Sequence, residues 1–157
     1  CIRDRSGISG AGKSSVENGL EEDIKENFKS YNVGFHRHQP EIKDFLKTEF
    51  NLDHEIIFIP HLLPLFRGEY VTLYCEVSQN DLDLNELYES YYEKHKLVRV
   101  KEKGEIAEIK EVINTFYCDI SVSYAFQSNT IIVNSAIDNL LKGAASQAIQ
   151  CLDIMSS

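Results

Sequence analysis

At 157 residues the chain has the length of one domain, and 43% hydrophobic residues are enough to fill a core. A formal net charge of −9, from 25 acidic against 16 basic residues, argues against nucleic acid and anionic membrane as partners. No apolar run approaches a membrane span and no secretory leader is visible. The four cysteines, Cys1, Cys75, Cys118 and Cys151, are too scattered for a disulfide framework. Cys75 and Cys118 sit in apolar, strand-like runs and read as buried thiols of a reducing compartment, so a cytoplasmic protein is expected. The chain opens on cysteine and reads as a piece of a longer protein.

In chain order, Gly7 to Ser14 fits G-x-x-x-x-G-K-[ST], a phosphate-cradling loop. Val16, Leu20, Ile24 and Phe28 behind it share helical spacing, which Gly19 weakens, and Glu21-Glu22-Asp23 would be a solvated face. In front, Cys1-Ile2-Arg3-Asp4-Arg5 is mostly charged, unlike the buried strand such a loop follows. A P-loop nucleotide-binding module is therefore one reading. A tight glycine turn, or a loop whose N–H groups face a cofactor or substrate, are the others.

Tyr31 to Phe35 reads as short and extended, and feeds Gly34-Phe35-His36-Arg37-His38-Gln39-Pro40-Glu41-Ile42. Pro40 fixes its own φ, biases Gln39 toward extended backbone and suits the first helical position. His36-Arg37-His38 should then run extended, with His36 and His38 on one face and Arg37 on the other. Glu41 falls in the first helical turn, where unpaired N–H groups favour a carboxylate. Imidazole beside a helix N-terminus has its charged form disfavoured, which suits acid–base work at a carbonyl oxygen. A surface turn is the plainer reading. A metal site would use His-x-His but lacks a carboxylate or cysteine at ligand spacing, so no metal is expected.

From Pro40, Ile42, Phe45, Leu46 and Phe50 make one apolar helical stripe. Ile56 to Ile59 reads as a buried strand that Pro60 and Pro64 end. His61 and Arg67 flank the proline-bent loop, where arginine could hold an anionic group or form a surface ion pair. Tyr70 to Val77 alternates, with Val71, Leu73, Cys75 and Val77 expected inside and a tyrosine-rich second face. Asp81 to Asp83 can cap an amphipathic helix running to about His95. Leu97 to Val100 is a short strand, Lys101 to Ile109 a charged exposed stretch, and Tyr117 to Phe126 with Thr130 to Ala136 a hairpin. Asp138-Asn139 can cap a last helix from Leu140 to about Met155. Its Gly143, Ala144, Ala145 and Ser146 leave one side narrow enough for a neighbour or ligand. About five strands and four helices result: an α+β fold with a mixed, mainly antiparallel sheet and helices on one face.

Three stretches together carry a resemblance. Ser6 to Lys13, Gly34 to Ile42 and Ala136 to Ala144 resemble N-acetyl-γ-glutamyl-phosphate reductase, as do Pro60 to Gly68 and Tyr117-Cys118-Asp119-Ile120. The resemblance runs over essentially all 157 residues in family order. It implies a fold like the C-terminal domain of glyceraldehyde-3-phosphate dehydrogenase. It also implies NADPH-dependent reductive dephosphorylation of an acyl phosphate to N-acetylglutamate semialdehyde, in arginine biosynthesis. Residues 1–135 would form a substrate-binding and dimerisation domain, and 136–157 a helix returning to an N-terminal NADP-binding domain. That domain and the family's Asn-Pro-Gly-Cys nucleophile are not in this sequence, so the chain alone should be inactive. A homo-oligomer, dimer or tetramer, is expected.

In sites, the resemblance makes His36 the first choice for the acid–base group and His38 the second. Glu41 would orient the imidazole or help place substrate. Arg37 and Arg67, with His61 on the same loop, are candidates for substrate, the arginines through its phosphate or carboxylate. Ser9, Gly10 and Asn139 resemble positions facing the nicotinamide half of NADP. Reductases of aspartyl or aminoadipyl phosphate are the alternatives within the class, and the His-Arg-His-x-Pro-Glu pattern disfavours the aspartyl branch.

Overall fold

The computed structural model describes residues 1–12, 14, 17–78 and 81–156; Lys13 of the glycine motif and Val16 of the expected helix lie outside them. The strands are β1 (Ile2–Ser6), β2 (Lys29–Ser30), β3 (Phe58–Leu62), β4 (Glu69–Glu76), β5 (Val98–Val100), β6 (Cys118–Tyr124) and β7 (Thr130–Ile137). The helices are α1 (Leu20–Ile24), α2 (His38–Phe50), α3 (Leu84–Tyr92), α4 (Ile109–Val112) and α5 (Ser146–Ser156), with a 3₁₀ turn at Ile8–Ala11 and a π turn at Leu141–Ala145. One sheet runs β2-β3-β1-β4-β7-β6-β5. Among the described residues only β1–β3 and β5–β6 are parallel, so the expected mixed and mainly antiparallel sheet is what forms.

Two strands differ from the sequence reading for physical reasons. The charged start of the chain is β1, in the middle of the sheet between β3 and β4. Its alternation is masked because both of its faces carry polar residues. Arg3 and Arg5 lie over Tyr74 and Tyr70 on one face, while Asp4 and Ser6 are buried on the other. Pro60 does not end pairing but sits inside β3, fully buried. Its carbonyl accepts the Tyr31 N–H at 3.1 Å. A strand residue points its C=O and N–H the same way, so the missing donor falls where β2 has ended and no ladder bond is lost.

The hairpin β6–β7 forms as expected, turned at Gln127 with φ 50°. Asp83 caps α3 by accepting from the N–H groups of Asn85 and Glu86. Cross-strand register sorts the two faces. Ile8, Ile24 and Leu62 pack beneath the face that carries Asp4, and α3 approaches the same face with Tyr88 near Cys75. The short α4 covers the other face, where Val112 and Ala107 pack on Ala136 and Tyr70. The face expected inside on β4 is only half-covered. Val71 and Leu73 are intermediate, Thr72 on the other side is buried, and Cys75 is exposed rather than a buried thiol. Cys118 is intermediate, with burial pushing its thiol up to about 11. Lys101, expected in solvent, is mostly covered and pairs with Glu111 at 2.6 Å.

Candidate active site

A cavity of about 710 Å³ opens where the glycine loop, the histidine segment and the start of the last helix meet. Its first wall is held by backbone. Gly7 N–H donates to the Gly68 carbonyl at 2.7 Å, Ile8 N–H to Leu65 at 2.8 Å and Ser9 N–H to Phe66 at 3.0 Å. Contact is so close that a Cβ on Gly7 would lie 2.9 Å from the Arg67 carbonyl carbon and the Phe66 oxygen. These bonds count against the P-loop reading. A phosphate cradle needs free N–H groups, and this loop spends three of them on the Leu65–Gly68 turn.

The same wall is tied to the last helix. The Asn139 side chain accepts from Gly68 N–H at 2.8 Å and donates to Ser9 Oγ at 2.9 Å. Asp138, fully buried, accepts from the N–H groups of Leu140, Leu141 and Asn114 and from the Arg67 guanidinium at 3.2 Å. Burial pushes the Asp138 carboxyl up, but those N–H groups and Arg67 outweigh it and hold it below the usual range. The helix then starts with a π turn, in which Gly143 N–H reaches back to the Asp138 carbonyl and Ala145 N–H to Leu140. Gly10, Gly143 and Ala144 leave this wall low and smooth.

The second wall carries the imidazoles. The segment is a turn rather than an extended run: Arg37 has φ −56° and ψ −30°, and α2 begins at His38. Pro40 is tolerated two residues inside, because first-turn N–H groups have no helical partner to lose. The two rings still meet, edge to face at 4.7 Å between centroids. His36 stacks on Phe58 at 5.1 Å and meets Tyr31 edge-on at 5.5 Å. The His38 backbone N–H donates to His36 Nδ1 at 3.3 Å. That bond uses the Nδ1 lone pair, so the ring proton belongs on Nε2. Burial, then the neighbouring His38 and Arg37 charges, lower the His36 pKa and keep the ring neutral.

The floor was not legible as a site. Asp4 of β1 and Glu69 of β4 line the cavity with Tyr31 and Ser6. Burial, then the Glu69 charge, raise Asp4 to about 7. Burial also raises Glu69, against the pull of His38. Tyr31, pushed up by burial and then by those two carboxyls, keeps its proton.

With this geometry in place, comparison with known proteins is direct. The profile described as semialdehyde dehydrogenase, dimerisation domain, matches residues 1–139. The chain belongs to that family. The chain is 40% identical over 157 residues to an N-acetyl-gamma-glutamyl-phosphate reductase of Thermoanaerobacter sp. (strain X514), covering 98% of this chain and 45% of that protein. A protein of the same name from Geobacillus sp. (strain WCH70) is 42% identical over 154 residues, covering 96% and 44%. The chain thus spans less than half the length of these relatives. In fold, the domain matches an aspartate semialdehyde dehydrogenase II from Vibrio cholerae with TM-score 0.73 at 16% identity, over 99% of this chain and 54% of that one. A probable aspartate-semialdehyde dehydrogenase from Pseudomonas aeruginosa gives 0.75 at 13%, over 99% and 55%. The fold is glyceraldehyde-3-phosphate-dehydrogenase-like, as expected from the resemblance.

The sequence candidates divide. Ser9, Gly10, His36, Arg37, His38 and Asn139 line one cavity; Arg37 is on the cavity side rather than turned away. Glu41 is exposed and outside the lining, and Glu69 is the carboxylate that faces His38. Arg67 is committed to Asp138 and Asn114. His61 pairs in register with Arg5 on the far face, where its ring stacks on Phe28 at 5.0 Å. None of the four cysteines lines the cavity.

Proposed function

We propose that this domain belongs to an N-acetyl-γ-glutamyl-phosphate reductase, reducing the acyl phosphate to the semialdehyde with NADPH. Aspartyl and aminoadipyl phosphate are the alternative substrates. The observation that carries the reading is the convergence of two imidazoles and a low glycine–alanine wall on one cavity. Relatives 40% identical over the whole chain bear that reductase name.

The cavity fits the nicotinamide half of the cofactor on one physical ground. Gly10, Gly143 and Ala144 project almost nothing, so a flat ring can lie against them beside Ser9. When bound, the cofactor supplies hydride. Asn139 spends its amide on Gly68 and Ser9, so it acts by holding Ser9 in place rather than by direct contact. His36 presents a neutral Nε2–H, suited to donating a hydrogen bond to the carbonyl oxygen as charge builds there. His38 has no hydrogen bond to either ring nitrogen among the described residues, which leaves it free to give and take the proton. Arg37 is placed to hold phosphate or carboxylate. Glu41 and Arg67 act from outside the cavity, through the helix start and the Asp138 pair. The thiol nucleophile and most of the dinucleotide contacts come from the rest of the protein.

The last helix supports the same reading. Ile149, Leu152, Ile154 and Met155 are 60%, 63%, 68% and 84% exposed, an apolar face suited to docking on a dinucleotide-binding domain. Residues 1–135 then form the substrate and dimerisation unit, and the protein works as a homo-oligomer. No helix among the described residues is long and apolar enough to cross a membrane. The test is NADPH oxidation by the full-length protein with N-acetyl-γ-glutamyl, α-aminoadipyl and aspartyl phosphates in parallel. Preference for the first, by about 100-fold or more, is expected for a site that pairs buried polar groups with one substrate. Equal or greater activity on aspartyl phosphate, or none on any, overturns the reading.

A further inference from the structure

Beneath the histidines lies a second chemical feature that the reaction above does not use. Asp4 sits on β1 opposite Val71, and Glu69 on β4 opposite Ser6. Both side chains are on the face that forms the cavity floor, and the two are diagonal neighbours, about 7–8 Å apart at the backbone. Asp4 is only 7% exposed, and its Oδ1 is buried with no hydrogen-bond partner. Glu69 faces His38, the first residue of α2.

Two neighbouring carboxyls, one of them buried, cannot both be ionised without cost, which the Arg5 charge and backbone N–H at Asp4 and the His38 charge at Glu69 offset only in part. A protonated Asp4 carboxyl removes that second charge, and an oxygen without a hydrogen-bond partner costs less on a neutral carboxyl than on a carboxylate. The other charges around the pair do not remove the problem. Arg5 follows Asp4 in β1 but projects from the opposite face to Thr72. His61 of β3 bonds only the Asp4 carbonyl, at 3.2 Å. Tyr31 above the floor is neutral, and His36 is held neutral through Nδ1. Arg37 reaches Tyr31 from the exposed rim. Among the described residues, His38 is the imidazole that faces Glu69 from across the cavity.

We propose that Asp4 and Glu69 hold one proton between them at the cavity floor, and that this proton sets the charge presented to the His38 imidazole. With the proton in place the pair carries one negative charge, on Glu69 below His38. Loss of the proton adds a second negative charge and favours a protonated His38. The two carboxyls are thus positioning residues that tune an acid–base group. What this does for turnover rests on the reductase reading; the shared proton does not, and the experiment reads the proton alone.

The test is a carboxyl-carbon and imidazole NMR titration of the 157-residue chain, without cofactor or substrate, from pH 4 to 9. In the wild type, Asp4 is expected to titrate near pH 7, and the His38 ring signals to follow that step. In Glu69→Gln the Asp4 midpoint should fall by at least about one pH unit, and in Asp4→Asn the Glu69 midpoint should fall likewise. An Asp4 midpoint near 4 in the wild type overturns the proposal, and needs no variant to fold. So does an Asp4 midpoint that stays put in Glu69→Gln.

Discussion

The two walls of the cavity are built on opposite terms. On the glycine-loop wall almost every polar group is spent: Gly7, Ile8 and Ser9 on backbone carbonyls, Asn139 on Gly68 and Ser9, Asp138 on three N–H groups and Arg67. On the histidine wall the backbone is tied by turn bonds, Gln39 N–H to the His36 carbonyl at 3.0 Å and Phe35 N–H to Asn32 at 3.2 Å, while the rings have one long bond, 3.3 Å from His38 N–H to His36 Nδ1, and otherwise meet only aromatic faces. Groups already paired fix shape, and groups left titratable do chemistry. Substitutions on the first wall should therefore cost stability, and those on the second should cost function.

The contrast breaks most visibly at Asp138. Asp138→Ala strands Arg67 and three N–H groups, and should cost about 4 kcal/mol in urea unfolding. Its carboxyl is held below the usual value, so its contribution is present above about pH 4 and lost as pH falls through the folded pKa. Asp138→Asn should flatten that acid limb. Next is Gly68, which has φ 108° and where an added Cβ would run into the Ile109 side chain. Gly68→Ala should cost about 3 kcal/mol by the same measurement.

On the floor the sign reverses. Asp4 is raised in the folded chain, so it favours folding below the unfolded value near 3.8 and that advantage is lost as pH rises toward 7. Asp4→Asn should be more stable than the wild type at pH 5.5, by about 2 kcal/mol, and nearly equal to it below pH 4. His36→Asn on the second wall should change stability by less than about 1 kcal/mol. Smallest of all is ATP: calorimetry should show no binding, and a micromolar affinity would mean that the glycine loop has free N–H groups after all.

How far the sequence reached follows the same division. Local periodicity exposed the hairpin, the Asp83 cap and the Asp138-Asn139 helix start, because each is fixed by neighbours in the chain. The His36–His38 pairing was legible although its backbone was not, since an extended run and a turn both bring the rings together. What was missed depends on distant pairing. β1 was mostly charged and unlike a buried strand until β3 and β4 gave its two polar faces different surroundings, and Asp4 and Glu69 are 65 residues apart by their numbers. Cys75 read as buried from its apolar neighbours, but it is exposed because no element among the described residues covers it fully.

The account stands on the two imidazoles doing different work. The most direct measurement is the pH dependence of turnover in the full-length protein for His36→Asn and His38→Asn. Loss of a hydrogen-bond donor at His36 should lower turnover by about 100-fold or more while the pH profile keeps its shape. Loss of the proton carrier at His38 should lower it by about 10²–10⁴ and flatten the limb that the ring controls. A His38→Asn enzyme with wild-type rates across the whole pH range would contradict the account.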